Sequence, residues 1–142
     1  MTLDEPQFTL GIEEEYLLVD KETRSLVVDP PKSLLSDCKE LLGNQVTNEL
    51  LRSQIEIGTK VCKNIQEARQ DLAKLRKHVI EVTGQHGIAP IACSTHPFSR
   101  WSEQELTPKD RYELLTTEMQ TVARRMVICG MHVHVGISDD EL

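Results

Sequence analysis

The side chains in this sequence that can do chemistry come in pairs, spaced two residues apart. Glu13 and Glu15 lie in the segment GIEEEYLLVD, and His132 and His134 lie in GMHVHVG. Residues two apart on a β-strand point to the same face, roughly 6.5 Å apart along the strand. Carboxylates this close raise each other's pKa or hold a cation between them, and their oxygens suit Mg²⁺ or Mn²⁺. The spacing therefore predicts a metal-binding face.

Two other segments repeat the spacing. Gln54 and Glu56 alternate with isoleucines in SQIEIGT, and Ser94 and His96 end the stretch GIAPIACSTH. Each segment has an apolar side suited to contact helices and a polar side of Glu, Gln, Ser or His. Placed side by side, the polar sides predict the floor of a pocket. An imidazole is compatible with Mg²⁺ or Mn²⁺, and the histidine pair also leaves a zinc site open.

Glu14 does not fit this alternation. It shares the parity of the apolar residues Ile12 and Tyr16, although carboxylates resist burial unless something pairs with them. We expect a bend or bulge in the strand at Glu14.

Periodicity and punctuation predict the elements that must position these residues. A β-hairpin is predicted over 8–19 and 24–29, a short helix from Pro30 to Gly43, and a strand over 48–59. Asn64 is expected to cap a helix over 65–83, followed by a central strand over 87–96. A second long helix is predicted after Thr107-Pro108, with strand 130–138 last. The apolar stripe of this second long helix is Tyr112, Leu115, Met119, Val122 and Met126. The order predicts one α+β domain, 1–142, with helices on one face of a mainly antiparallel sheet.

Composition limits the classes of function. The chain has 142 residues, 39% of them hydrophobic, and a net charge of −7, which is typical of a globular domain and argues against nucleic acid as a partner. No apolar run approaches the length of a membrane span. The cysteines are scattered and form no C-x-x-C pair, which favours reduced thiols in a cytoplasmic protein; they are Cys38, Cys62, Cys93 and Cys129.

The residues of these segments also resemble those of a known family. GIEEEY, SQIEIGT, STHPFSRW, RY at 111–112 and GMHVHVG are similar, in order and spacing, to the carboxylate–amine ligases of the glutamate–cysteine ligase type 2 family. The match runs from about residue 8 to residue 138. That family resembles glutamine synthetase in its core, an antiparallel sheet whose open face binds ATP and divalent metals. The implied reaction passes the γ-phosphate of ATP to a carboxylate, after which an amine attacks the acyl phosphate.

The resemblance implies a role for each candidate residue. Glu13, Glu15 and Glu56 would be catalytic metal ligands for Mg²⁺ or Mn²⁺, with His132 or His134 completing a metal shell or touching a phosphate. Gln54, Ser94, His96 and Arg100 would line the side of the small carboxylate and amine substrates. Arg124 and Arg125, together with Arg111, would neutralise phosphate. The alternative for at least two of these four arginines is an ordinary position on a helix surface with no role in the site; the four are Arg100, Arg111, Arg124 and Arg125.

Family members are longer than this chain, so the resemblance implies the N-terminal part of a catalytic domain with an unpaired strand edge. A fragment, or two chains that complete each other in a homo-oligomer, would explain that edge. Two other functions stay open. One is a non-catalytic module that binds metal or oligomerises; the other is a metal-dependent hydrolase that uses His132 and His134.

Overall fold

A single long strand organises the sheet. The computed structural model describes residues 8–119, 122 and 125–137, except the side chains of residues 111, 113, 115 and 116. Strand β1 (Thr9–Asp20) pairs on one side with β3 (Gln54–Gly58), which in turn pairs with β2 (Val46–Asn48). On its other side it pairs with β5 (Met131–Gly136) along its first half and β4 (Ile88–Ile91) along its second. Every pairing is antiparallel, which confirms the predicted type of sheet.

Two helices cover one face of this sheet. They are α1 (Ser33–Leu42) and α2 (Ile65–Gln85). The predicted cap of α2 is confirmed, because the Asn64 side chain accepts a hydrogen bond of 2.9 Å from the Glu67 N–H. The apolar residues of α2 pack against the inward-facing side chains of β1 and β3, among them Ala68, Leu72, Leu75, Val79, Val82, Ile12, Tyr16, Leu18, Ile55 and Ile57. Ile65, at the start of α2, is exposed.

The opposite face of β1 carries a second apolar cluster. Leu17 and Val19 alternate with the residues under α2, and they pack with Leu26, Leu50, Leu51, Tyr112 and Val127. Tyr112 belongs to α3 (Asp110–Met119), so this helix meets the face that α1 and α2 leave open. The predicted stripe that begins at Tyr112 is confirmed only in part, since Met126 is half-buried against the same cluster whereas Met119 and Val122 are exposed. The side chain of Leu115 lies outside the described residues.

Three predicted strands differ from the observed ones. Residues 24–29 meet β1 at a single bridge, Val19 to Leu26, in which the Val27 N–H donates to the Leu18 carbonyl and the Asp20 N–H donates to the Ser25 carbonyl. The Leu26 N–H donates to Ser99 Oγ. Of the predicted strand 48–59, only β3 forms as a strand of its own, because residue 48 ends β2 and a turn follows it. The stretch predicted as a central strand is limited to β4 and pairs with β1 alone among the described strands; Pro90 has no N–H to offer a second neighbour.

The described chain shows no membrane-crossing helix and no disulfide. None of the described helices is long and apolar enough to span a bilayer. Cys38 and Cys62 are buried, Cys93 and Cys129 are half-buried, and all four are free, as we expected. Burial raises the pKa of Cys38 to about 11 and that of Cys129 to about 12. Both therefore stay protonated thiols near neutral pH.

Glu14 is held by an ion pair and needs no bulge. It keeps regular register with Ile57 on one side and Met131 on the other. Its side chain points toward α2, where Arg76 donates through Nε, 2.8 Å away, and through Nη2. The Tyr16 hydroxyl donates to the same carboxylate. Burial alone raises the pKa of Glu14, but the hydrogen bonds from Arg76 and Tyr16 more than offset it, so its pKa lies below 4.5.

The ion pair makes stability depend on pH. A carboxyl whose pKa is lower in the folded state contributes stability above its unfolded pKa, and the contribution is lost as the pH falls through the folded pKa. We expect Glu14→Gln to lower the free energy of unfolding by about 2 kcal/mol at pH 7. Urea unfolding should show this difference shrinking as the pH is lowered below the pKa of an unfolded glutamate and through the lower pKa of folded Glu14. Glu40→Gln, on the exposed side of α1, is the control. A deficit for Glu14→Gln that stays constant as the pH is lowered would contradict a charged Glu14.

Candidate active site

The polar face of the sheet is assembled by strand register. In the β1–β3 pair, Glu15 lies opposite Glu56. In the β1–β5 pair, Glu13 lies opposite His132, and Gly11 lies opposite His134. Residues opposite each other in antiparallel strands share a face. The predicted carboxylates and imidazoles therefore do lie on one surface, on the side away from α1 and α2.

Three carboxylates converge on this surface. Glu15, Glu49 and Glu56 each offer an oxygen, and these oxygens lie within 4.8 Å of one another. They come from β1, from the residue after β2 and from β3, and all three are half-buried. We call them the acidic trio. Within the described ranges, no other group of three or more His, Cys, Asp or Glu side chains brings its donor atoms this close.

The acidic trio fits a hard divalent cation. Carboxylates at this separation repel one another unless a cation lies between them, and Mg²⁺ and Mn²⁺ prefer oxygen ligands. Glu49 was not among our candidates because a single strand over 48–59 would give it the parity of Ile55 and Ile57, on the apolar side. The turn between β2 and β3 breaks that alternation, since Thr47 lies opposite Glu56 and Glu49 has the parity of Thr47.

Glu13 belongs to a separate cluster with the histidines. Its Oε2 lies 3.4 Å from His132 Nδ1 and 3.1 Å from His134 Nε2. Both imidazoles are well exposed, at 62% and 60%. We predicted one shell containing these three residues together with Glu15 and Glu56. The structure instead divides that set into the acidic trio and a Glu13–histidine cluster beside it.

The two clusters meet in an open recess of about 600 Å³. Its lining residues are Glu13, Glu15, Thr47, Glu49, Glu56, Lys109 and His132. Lys109 is the one cationic Lys or Arg side chain among them. Its Nζ donates to the Asn48 carbonyl, 3.0 Å away, and lies 5.2 Å from the centre of the Tyr112 ring. The recess thus combines carboxylates suited to a metal ion with one ammonium suited to an anion.

Gln54, which we predicted on the substrate side, is buried and bonded within the fold, and it lines a hollow beside Glu15 and Glu49. It is 2% exposed, and its Nε2 donates to the Ile128 carbonyl at 2.6 Å. Its Oε1 accepts from the Leu51 N–H at 3.2 Å. Gln54 therefore ties the segment before β5 to the turn before β3. Next to it, Gly130 N–H donates to Glu15 Oε2 at 3.0 Å, which orients one member of the acidic trio.

His96 also serves the fold, which corrects its predicted place on the substrate side. It is 8% exposed, and its Nδ1 accepts from the Ser99 N–H at 3.0 Å. Its Nε2 therefore carries the proton and donates to the Arg24 carbonyl at 2.9 Å. Arg24 has φ of 65°, a left-handed conformation in the turn after β1. His96 holds this turn and does not line the recess.

The remaining candidates lie around the recess or away from it. Ser94 is exposed and borders a smaller hollow beside Glu15. Its backbone carbonyl accepts a hydrogen bond from the Cys129 N–H at 3.1 Å. Arg100 is exposed, and the Arg125 guanidinium lies 5.2 Å from the centre of the Trp101 ring; neither lines the recess. Arg124 and the Arg111 side chain fall outside the described residues.

Comparison with known proteins identifies the family. The model of glutamate–cysteine ligase family 2 matches residues 9–141. The chain belongs to this family. Among curated relatives, it is 53% identical over 142 residues to a protein of Rhodospirillum rubrum and 51% identical over 139 residues to one of Paracoccus denitrificans. Both are provisionally named glutamate–cysteine ligase 2. The matches cover 97% and 98% of this chain but 36% and 37% of those relatives, so the chain spans about a third of their length.

Solved structures with little sequence identity share the family's fold. Glutamate–cysteine ligase from Francisella tularensis, solved in complex with AMP, superposes with a TM-score of 0.70 at 16% identity. That match covers 98% of this chain and 29% of the ligase. A bifunctional glutathione synthetase from Pasteurella multocida gives 0.66 at 16% identity, over 94% of this chain and 17% of the synthetase. The sheet and its helices therefore correspond to one part of larger ligases.

Proposed function

We propose that residues 1–142 form the N-terminal portion of the catalytic domain of an ATP- and Mg²⁺-dependent carboxylate–amine ligase. The acidic trio supports this most strongly, because it lies on the polar face of the antiparallel sheet in a member of glutamate–cysteine ligase family 2. The Francisella ligase of the same fold was solved with AMP, which supports an adenine nucleotide as co-substrate. ATP supplies energy inside cells, so we place the protein in the cytoplasm.

In the proposed reaction, the γ-phosphate of ATP passes to a small carboxylate, and an amine then displaces phosphate to form an amide. Glutamate and cysteine, the pair in the family's name, are the first substrates to test. A bound Mg²⁺ or Mn²⁺ would neutralise charge on the phosphates. Glu15, Glu49 and Glu56 would hold that ion. Lys109 would meet a phosphate or carboxylate at the edge of the recess.

The Glu13–histidine cluster lies beside the acidic trio and would contact a second phosphate or a second metal ion. A hydrolase centred on His132 and His134 is less well supported. In the described chain these histidines pair with the carboxylate of Glu13 and lie outside the acidic trio.

A non-catalytic module that binds metal or oligomerises is the second candidate. The apolar side chains of β5 are exposed; they are Met131, Val133 and Val135. Their exposure favours the oligomerising module and also supports the predicted homo-oligomer.

The first test measures metal binding to the chain directly. Titration with Mn²⁺, followed by the electron paramagnetic resonance signal of the free ion, should give at least about tenfold weaker binding in Glu15→Gln and in Glu56→Gln. Each variant removes one oxygen ligand and one negative charge from the acidic trio. Glu40→Gln on α1 is the matched control and should bind Mn²⁺ like the wild type. Equal Mn²⁺ affinity in all four proteins would refute the metal site.

Lys109→Met should have opposite effects on metal and nucleotide. Removing one positive charge from an acidic recess should strengthen Mn²⁺ binding severalfold. The same change should weaken ATP binding, measured in the presence of Mn²⁺, by about tenfold, because an ammonium that meets phosphate is lost. Lys77→Met, on the exposed face of α2, is the control. If Lys109→Met leaves ATP affinity unchanged, Lys109 is not a phosphate contact.

A further inference from the structure

A second cavity lies on the other face of the sheet. It has a volume of about 530 Å³, within the range of small-molecule sites. Leu18 and Ile55 line it, and strand alternation places them on the face opposite Glu15 and Glu56. This cavity, which we call the α1 pocket, also reaches Gln54 and Asn48, but it shares no lining residue with the acidic recess.

The floor of the α1 pocket is apolar. Leu18, Ile55 and Leu34, the last from the first turn of α1, contribute to the lining, and all three are buried residues of the main core. Leu35 of α1 lines the same side and is half-buried. Leu18, Ile55 and Leu34 are only 1%, 2% and 3% exposed, so the apolar surface open to a ligand comes from half-buried Leu35 and Pro30. A short aliphatic group over these two side chains would remove that surface from water.

The rim of the pocket carries a pair of opposite charges. Arg52 Nη1 donates to Asp29 Oδ1 at 2.9 Å, with side-chain exposures of 36% and 64%. The guanidinium is oriented by a second bond, from Nε to the Leu106 carbonyl at 3.1 Å. A half-exposed ion pair of this kind contributes little stability, so the charges of a ligand can replace it at small cost.

From the apolar floor and this charged rim, we propose that the α1 pocket binds a small α-amino acid with an aliphatic side chain. The carboxylate of the ligand would accept hydrogen bonds from Arg52, whose planar fork matches a carboxylate. Its ammonium would pair with Asp29, and its aliphatic chain would lie over Leu35 and Pro30. The ammonium and carboxylate of an α-amino acid are attached to the same carbon. They are therefore close enough together to meet Asp29 and Arg52, which are in hydrogen-bond contact with each other.

The test uses residues 1–142, labelled with ¹⁵N, and L-leucine as the probe. Leucine at up to about 10 mM, enough to occupy most of a site with a Kd of 1 mM, should shift the amide resonances of Leu34, Asn48 and Ile55. Two analogues each lack one charge: 4-methylpentanoate has no ammonium, and 3-methylbutylamine has no carboxylate. Both should bind at least about tenfold more weakly than leucine. Absence of shifts at the pocket, or equal binding of the three probes, would overturn the proposal.

Two variants assign the contacts. Arg52→Met should weaken leucine binding at least about tenfold, whereas Arg69→Met, on the exposed side of α2, should not change it. Asp29→Asn alters a mostly exposed side chain and so leaves the fold in place. It should weaken leucine binding but not 4-methylpentanoate binding, because only leucine has an ammonium. Unchanged leucine affinity in Asp29→Asn would exclude the assigned orientation.

Discussion

The ion pair between Glu14 and Arg76 determines which face of β1 carries Glu13 and Glu15. Three consecutive glutamates cannot all point to one side of a strand, because successive side chains alternate. Arg76, from α2, binds Glu14 on the helix-covered face, and this leaves its two neighbours on the open face. A slip of one residue would send Glu13 and Glu15 into the apolar layer. The burial of one carboxylate thus secures the exposure of two others.

Everything on the open face depends on that register. The acidic trio exists because β1 and β3 place Glu15 opposite Glu56, and because β2 adds Glu49 from the next position outward. Gln54 and Gly130 then tie β3 and the start of β5 to the same region. Three mutually repelling carboxylates would weaken the fold on their own. We therefore propose that their convergence on the sheet preorganises the carboxylates for a cation, as the proposed phosphoryl transfer would need.

Strand alternation was enough to predict part of the site. It identified the polar parity of Glu15 and Glu56, and it identified the antiparallel sheet through its two-faced strands. It could not identify the partners of buried polar groups, because those partners are distant in sequence. Gln54 binds a carbonyl 74 residues away, and His96 binds one 72 residues away. From residue type alone, such side chains cannot be distinguished from ligand contacts.

Crystals of the protein soaked in MnCl₂ would test the metal site most directly, through the anomalous scattering of manganese. We expect the strongest peak to lie among the carboxylate oxygens of Glu15, Glu49 and Glu56. A peak held by Glu13, His132 and His134, with none at the acidic trio, would contradict the assignment and support the histidine cluster as the metal site.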